Sequence, residues 1–188
     1  MGRVSTRISP TGVRTGRTRL VGVEIVIRRA RTADVAGIRR LVDAYTMDRR
    51  LLSKATVTLY EDVPEFWVAE RDGIVVGCGA LHVLWEDLAE VRTLAVDPQL
   101  RGGGIGARIV AELLGEARRL GVSRVFVLTF EREFFARFGF VEIDGAPVPP
   151  AVYEQLLRSY DEGVAEFLDL DRVKPNILGN SRMLLHLS

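Results

Sequence analysis

Arg101-Gly102-Gly103-Gly104-Ile105-Gly106 sits between the apolar run Leu94-Ala95-Val96-Asp97-Pro98 and a helical repeat. Glycine lacks a Cβ and reaches positive φ, so successive amides in such a loop can point one way. Ile105, Ile109, Leu113, Ala117 and Leu120 then recur at helical spacing, and Gly121 ends the pattern. The segment must therefore fold as strand, turn and helix, with N–H groups presented at a helix N-terminus beside a guanidinium. That is the construction of a pyrophosphate cradle. Neither Lys nor Ser/Thr follows the last glycine, which excludes a P-loop, and the G-x-G-x-x-G spacing is absent.

The order of the remaining patterns makes an α/β chain with a mixed central sheet and helices on both faces. Val23 to Ile27 alternates as a strand, and Thr32-Ala33-Asp34 caps a helix with Val35, Ile38, Leu41, Val42 and Tyr45 on its apolar face. Residues 51–61 read as a short helix or loop. Phe66 to Glu70 and Ile74 to Leu84 form a hairpin around Asp72-Gly73. Leu88 to Val96 and Arg124 to Thr129 are strands, and Phe140 to Ile143 is a short one. Gly145 to Pro150 breaks the chain, Ala151 to Tyr160 is helical, 161–180 is mixed, and Met183 to Leu187 is a last strand.

Composition narrows the partners. The chain has 188 residues, 47% of them hydrophobic, enough for one full-sized core. Residues 1–22 carry five of the 26 basic residues and no acidic one, leaving 21 basic against 25 acidic in the rest. This segment reads as an unstructured extension, an upstream start or an Arg-rich presequence, followed by one domain over 23–188. The acidic body argues against nucleic acid as the main partner. No apolar stretch reaches membrane-spanning length. One cysteine, Cys78, allows no internal disulfide, which points to a reducing cytoplasm, and Cys78 reads as a buried hydrophobe. His82, His186 and Cys78 are too scattered for a metal site.

The strand ending in V-D-P followed by R-G-x-G-I-G resembles the acetyl-CoA signature of the GNAT superfamily of N-acetyltransferases. Arg124 to Thr129 followed by Glu131-Arg132-Glu133-Phe134-Phe135-Ala136-Arg137-Phe138-Gly139-Phe140 resembles that superfamily's strand and short helix ending in G-F. Over residues 24–143 the likeness narrows to the acetyltransferase domain of N-acetylglutamate synthases. Ile27-Arg28-Arg29-Ala30 with Thr32 and Asp34, Phe66 to Gly73, Gly77-Cys78-Gly79-Ala80-Leu81, Glu90 to Pro98, and Asn180-Ser181-Arg182-Met183-Leu184 carry it. Longer members add an amino-acid-kinase-like domain, so the resemblance implies a short form. It also implies acetyl transfer to the α-amine of L-glutamate, a cytoplasmic enzyme and a homodimer. Other amine acceptors, or a non-catalytic acyl-CoA-binding module, are the competing readings.

The resemblance assigns roles. Acyl transfer to an α-ammonium needs a base; Glu90 takes that role, against the plain reading of a solvated carboxylate, with Glu86 and Asp87 as reserves. The N–H of Leu94 faces the developing oxyanion. Leu94, Ala95 and Val96 pair with the pantetheine arm like an added strand, and Arg101 with Gly102, Gly103, Gly104, Ile105 and Gly106 holds the pyrophosphate. Many members use a Tyr as the leaving-group acid; Phe135 stands there, so Thr129 is the candidate. Lys54 replaces a substrate-binding Arg, losing its bidentate fork. Ser181 is retained, the Arg two residues before it is Gly179, and Arg92, Arg182 or Lys174 supplies the missing charge. This weakened clamp also admits L-glutamine. His82 reads as a core or surface imidazole, with a base as the alternative.

Overall fold

A computed structural model describes residues 18–20, 23–46, 54–173 and 179–188. Lys174 and residues 51–53 lie outside them, as does most of the extension. Eight strands form one sheet: β1 (Thr18–Leu20), β2 (Val23–Arg29), β3 (Phe66–Arg71), β4 (Ile74–Trp85), β5 (Leu88–Val96), β6 (Arg124–Thr129), β7 (Val141–Glu142) and β8 (Ser181–His186). Their spatial order is β1-β2-β3-β4-β5-β6-β8-β7. The helices are α1 (Val35–Thr46), α2 (Thr56–Glu61), α3 (Ile105–Arg119), α4 (Arg132–Ala136), α5 (Pro150–Leu156) and α6 (Glu162–Phe167). Thr18–Leu20 pairs with β2, so the sheet begins inside the segment that composition alone reads as unstructured. Thr32–Asp34 is a 3-10 turn of its own: Asp34 accepts from the Arg31 N–H at 2.7 Å and is held by Arg28.

Strand alternation divides the core. Ile25, Ile27, Ala69, Leu81, Ala89, Val91, Val125 and Val127 face α3, whose Ile105, Ile109, Val110, Leu113, Leu114 and Ala117 are buried against them. The opposite face packs α1 through Val35, Ile38, Leu41 and Val42, and, further along, α5 and α6 through Leu156, Val164 and Phe167. α3 lies close because β4 offers glycines beneath it. A Cβ on Gly79 would come within 2.9 Å of Ile109, closer than packed atoms tolerate.

Two irregularities shape the middle of the sheet. Among the described residues the one parallel pair, β5 and β6, joins through Leu88, Ala89 and Glu90 and then parts. Between Cys78 and Ala80 the β4–β5 register slips, and Thr93 in that slip takes φ 56°, a left-handed value costly for a β-branched residue. The extra residue flips the alternation. Ala89 and Val91 face α3 before the bulge; Leu94 and Val96 face it after.

Candidate active site

The first half of the site is backbone. Asp97 leaves β5 by donating its N–H to Val76 O, and its carboxylate accepts from the Gln99 N–H at 3.0 Å, starting a tight turn. Gly102 and Gly104 follow at φ 79° and 76°, and Gly104 is the N-cap of α3. Only glycine reaches these angles without strain. The loop from Arg101 to Gly104 is exposed, as an anion-binding turn must be. Arg101 is steered by α1: its Nε donates to Tyr45 Oη at 3.1 Å and its guanidinium lies 4.9 Å from the Tyr45 ring centre. Tyr45 in turn donates to Val96 O at 2.5 Å. Such a turn can receive a diphosphate. Beyond Glu90, β5 has no partner on its β6 side, which leaves room for an extended arm along Leu94, Ala95 and Val96.

The second half is a cluster of side chains on the α1/α6 face. Glu90 is 2% exposed, and its Oε2 has no hydrogen-bond partner. Burial pushes its pKa up to about 8, against the pull of Arg92. The solvated reading of Glu90 is thereby overturned. Arg92, two residues on and facing the same way, is also buried. It donates to Asp161 at 2.8 Å and Glu65 at 3.1 Å, and reaches Asp62 at 3.4 Å. Asp161 caps α6 by accepting from the Val164 N–H. Burial alone would raise its pKa, yet Arg92 keeps it below the usual carboxylate range. α6 rides directly on this cluster: a Cβ on Gly163 would meet Arg92 at 2.8 Å, Asp161 at 3.0 Å and Glu90 Oε2 at 3.2 Å. Glu166, on the same helix, is pushed to about 7 by burial and by Glu162.

The remaining expected residues are distributed unevenly. Lys54 joins the rim of the cluster, but its Nζ is already 3.0 Å from Asp62. Arg182 shares the Glu90 face, where it stacks 5.0 Å from the Phe126 ring centre and donates to the carbonyls of Glu166 and Phe167. It braces the C-terminal end of α6. Thr129 and Ser181, cross-strand partners, alternate with Val127 and Met183 toward the α3 face, away from Glu90. The Thr129 hydroxyl accepts from the Glu131 N–H at 2.9 Å, and Ser181 donates to Glu142 at 2.8 Å. Asp87 is committed to Arg124 at the hairpin, and Glu86 is exposed there. Phe135 is buried among Phe134 and Phe140. A surface cleft lined by Phe130, Glu133, Phe140, Val141 and Met183 lies at the β7 edge and contains none of these groups. Sequence reasoning missed Asp62, Glu65, Asp161 and Glu166. Their only signal was separation: no local motif links Arg92 to carboxylates 27 and 69 residues away.

A Gly-loop before a long helix, a parting pair of strands and a buried glutamate at the fork together define an acyl-CoA N-acyltransferase. The chain belongs to the acetyltransferase (GNAT) family, which residues 36–140 match. It is 65% identical over 163 residues to an amino-acid acetyltransferase of Mycobacterium tuberculosis, covering 85% of this chain and 93% of that one. An amino-acid acetyltransferase of Neisseria meningitidis is 37% identical over 118 residues, but this stretch is 27% of that longer protein. Among solved structures, Rv2747 from M. tuberculosis in complex with CoA and NLQ superposes with TM-score 0.84 at 64% identity, covering 87% of this chain and 99% of that one. N-acetylglutamate synthase from Neisseria gonorrhoeae, complexed with coenzyme A and N-acetyl-glutamate, gives TM-score 0.69 at 26% identity over 87% of this chain and 35% of that one. The activity is acetyl-CoA-dependent amino-acid N-acetylation. Among the described residues no helix is long and apolar enough to cross a membrane.

Proposed function

We propose that the chain moves the acetyl group of acetyl-CoA to the α-amine of L-glutamate, with L-glutamine as a second acceptor. The observation that carries this is the parting of β5 from β6 immediately after buried Glu90. It supports reading Glu90 as a base beside the gap that opens between the two strands. Glu90 takes a proton from the α-ammonium, the freed lone pair attacks the thioester carbon, and the Leu94 N–H meets the charge that gathers on the acyl oxygen. Arg101 and the amides of Gly102 to Gly106 hold the pyrophosphate. The Thr129 hydroxyl, free to donate while it accepts from Glu131, serves the departing sulfur.

The acceptor's carboxylates meet Lys54 and Arg92, with Ser181 and Arg182 further off. Both cations already face carboxylates of the protein. A second charge on the substrate therefore gains less than it would from a bare guanidinium, and this favours glutamine as the alternative. The same reading carries a cytoplasmic homodimer, which light scattering checks. The test is CoA release from acetyl-CoA with each of the twenty amino acids, on wild type and on Lys54→Ala. Turnover with glutamate or glutamine, and about a tenfold rise in the acceptor KM in the variant, is expected. Turnover with neither overturns the reading.

A further inference from the structure

Amide formation from an α-ammonium and a thioester releases one proton per turnover. The ammonium carries three N–H bonds. One stays in the amide, one ends on sulfur as the C–S bond breaks, and one must leave the protein. If Glu90 is the base, that last proton sits on a carboxyl group 2% exposed, with no protein hydrogen-bond partner at Oε2. The next cycle cannot begin until it is passed outward.

His82 is the cross-strand partner of Glu90 in the β4–β5 ladder. Directly opposed residues point to the same face with Cβ atoms about 4.5–5.5 Å apart. The imidazole is neither core nor open surface: its side chain is 20% exposed, and Glu65 beside it is 26% exposed. Its Nδ1 lies 2.7 Å from Glu65 Oε1 and 3.0 Å from Arg92 Nη2. Those two neighbours want opposite things of one atom. A protonated Nδ1 donates to Glu65; a bare Nδ1 accepts from Arg92. Each state of Nδ1 thus has a partner in place, which is what a group that repeatedly takes and gives a proton requires.

We propose that His82 is the relay through which Glu90 sheds its proton, a role that rests on Glu90 being the base. The proton passes from the Glu90 carboxyl through a bridging water to His82 Nδ1, then to Glu65 Oε1, and from that half-buried carboxylate to solvent. Nδ1 returns to accepting from Arg92, and Glu90 to its basic form. The charged groups around the imidazole are Glu65 from the turn before β3 and Arg92 from β5, which touch Nδ1, Glu90 opposite on β5, and Asp161 at the α6 N-cap and Asp62 after α2, which lie against Arg92. His82 acts through Glu90 and touches no reacting atom.

The test uses the full chain with acetyl-CoA and its best amino acid. His82→Asn keeps an acceptor for Arg92 and a donor for Glu65 but cannot carry a proton. The relay predicts kcat down about tenfold or more, both KM values within twofold, and an unchanged melting temperature. In His82→Ala, added imidazole should restore kcat in a concentration-dependent way. Wild-type kcat in His82→Asn overturns the relay. So does a loss confined to the amino-acid KM that imidazole does not recover, because the ring then only orders Arg92 and Glu65. Glu90→Gln, run alongside, separates the two readings: undiminished turnover there removes the base itself, whereas an inactive Glu90→Gln beside a fully active His82→Asn removes only the relay.

Discussion

The two sides of the gap between β5 and β6 are built by opposite means. On the α3 side the proposed binding groups are main-chain amides of an exposed turn set by left-handed glycines within six consecutive residues. On the α6 side they are charged and polar side chains from four separated stretches of chain, meeting around buried Arg92. The difference follows from the two ligands. A pyrophosphate is large, solvated and doubly charged, so a turn of N–H groups suffices and burial is unnecessary. An amino-acid nitrogen must lose a proton in a place where a carboxylate is a strong enough base. That demands low dielectric, and charges in low dielectric must be paired.

Glu90→Gln attacks the buried side hardest. We expect kcat to fall about a hundredfold or more, with the acetyl-CoA KM unchanged, in steady-state assays. In wild type, kcat should rise with pH toward about 8 as Glu90 ionises. The same variant reports on stability with a definite sign. The folded protein keeps a proton on Glu90 that the unfolded chain has lost above the ordinary glutamate range. The stability this group contributes is whole at low pH and disappears as pH climbs toward about 8. The melting temperature of Glu90→Gln should therefore gain on wild type between pH 5 and pH 8; a constant offset would show that Glu90 is not held neutral.

Arg101→Ala tests the exposed side. Its guanidinium is steered by Tyr45 of α1. The acetyl-CoA KM should rise about tenfold, the worth of one charge-assisted contact, with the acceptor KM unmoved. A matching rise in the acceptor KM would mean that the two sides are coupled. Gly163→Ala is the finest probe. Its Cβ would press on Arg92, Asp161 and Glu90 at once; Asp161 can yield only by loosening the α6 cap, and Arg92 by loosening its bond to Asp161. A severalfold drop in kcat/KM for the amino acid alone is expected, read against unchanged isothermal binding of CoA.

Legibility followed the same division. The Gly-loop, α3, the β3–β4 hairpin and the strands β5 and β6 were all readable, because periodicity and turn chemistry are local. Glu90 was found by resemblance, but its burial was not: a glutamate at a strand start says nothing of α6 closing over it. Ser181 was expected beside the acceptor charges and Thr129 beside the leaving thiolate. The alternation of β6 and β8 turns them toward α3 instead, a consequence of which neighbour each strand packs on. Arg182 was expected as a substrate cation and is occupied holding α6 carbonyls. His82 was visible as a lone imidazole, and only the register opposite Glu90 gives it a task.

What the sequence determined by itself was the α/β class, the order of elements and the anion-binding turn, since φ preference, capping and hydrophobic period act over a few residues. The tertiary structure alone decided which charges meet. The bulge at Thr93 reverses the faces of β5, and the parting from β6 opens the gap. The landing of Asp161 on Arg92, 69 residues away, closes the cluster. Those outcomes depend on packing between distant segments, and pair energies of buried charges exist only once that packing has removed the water between them.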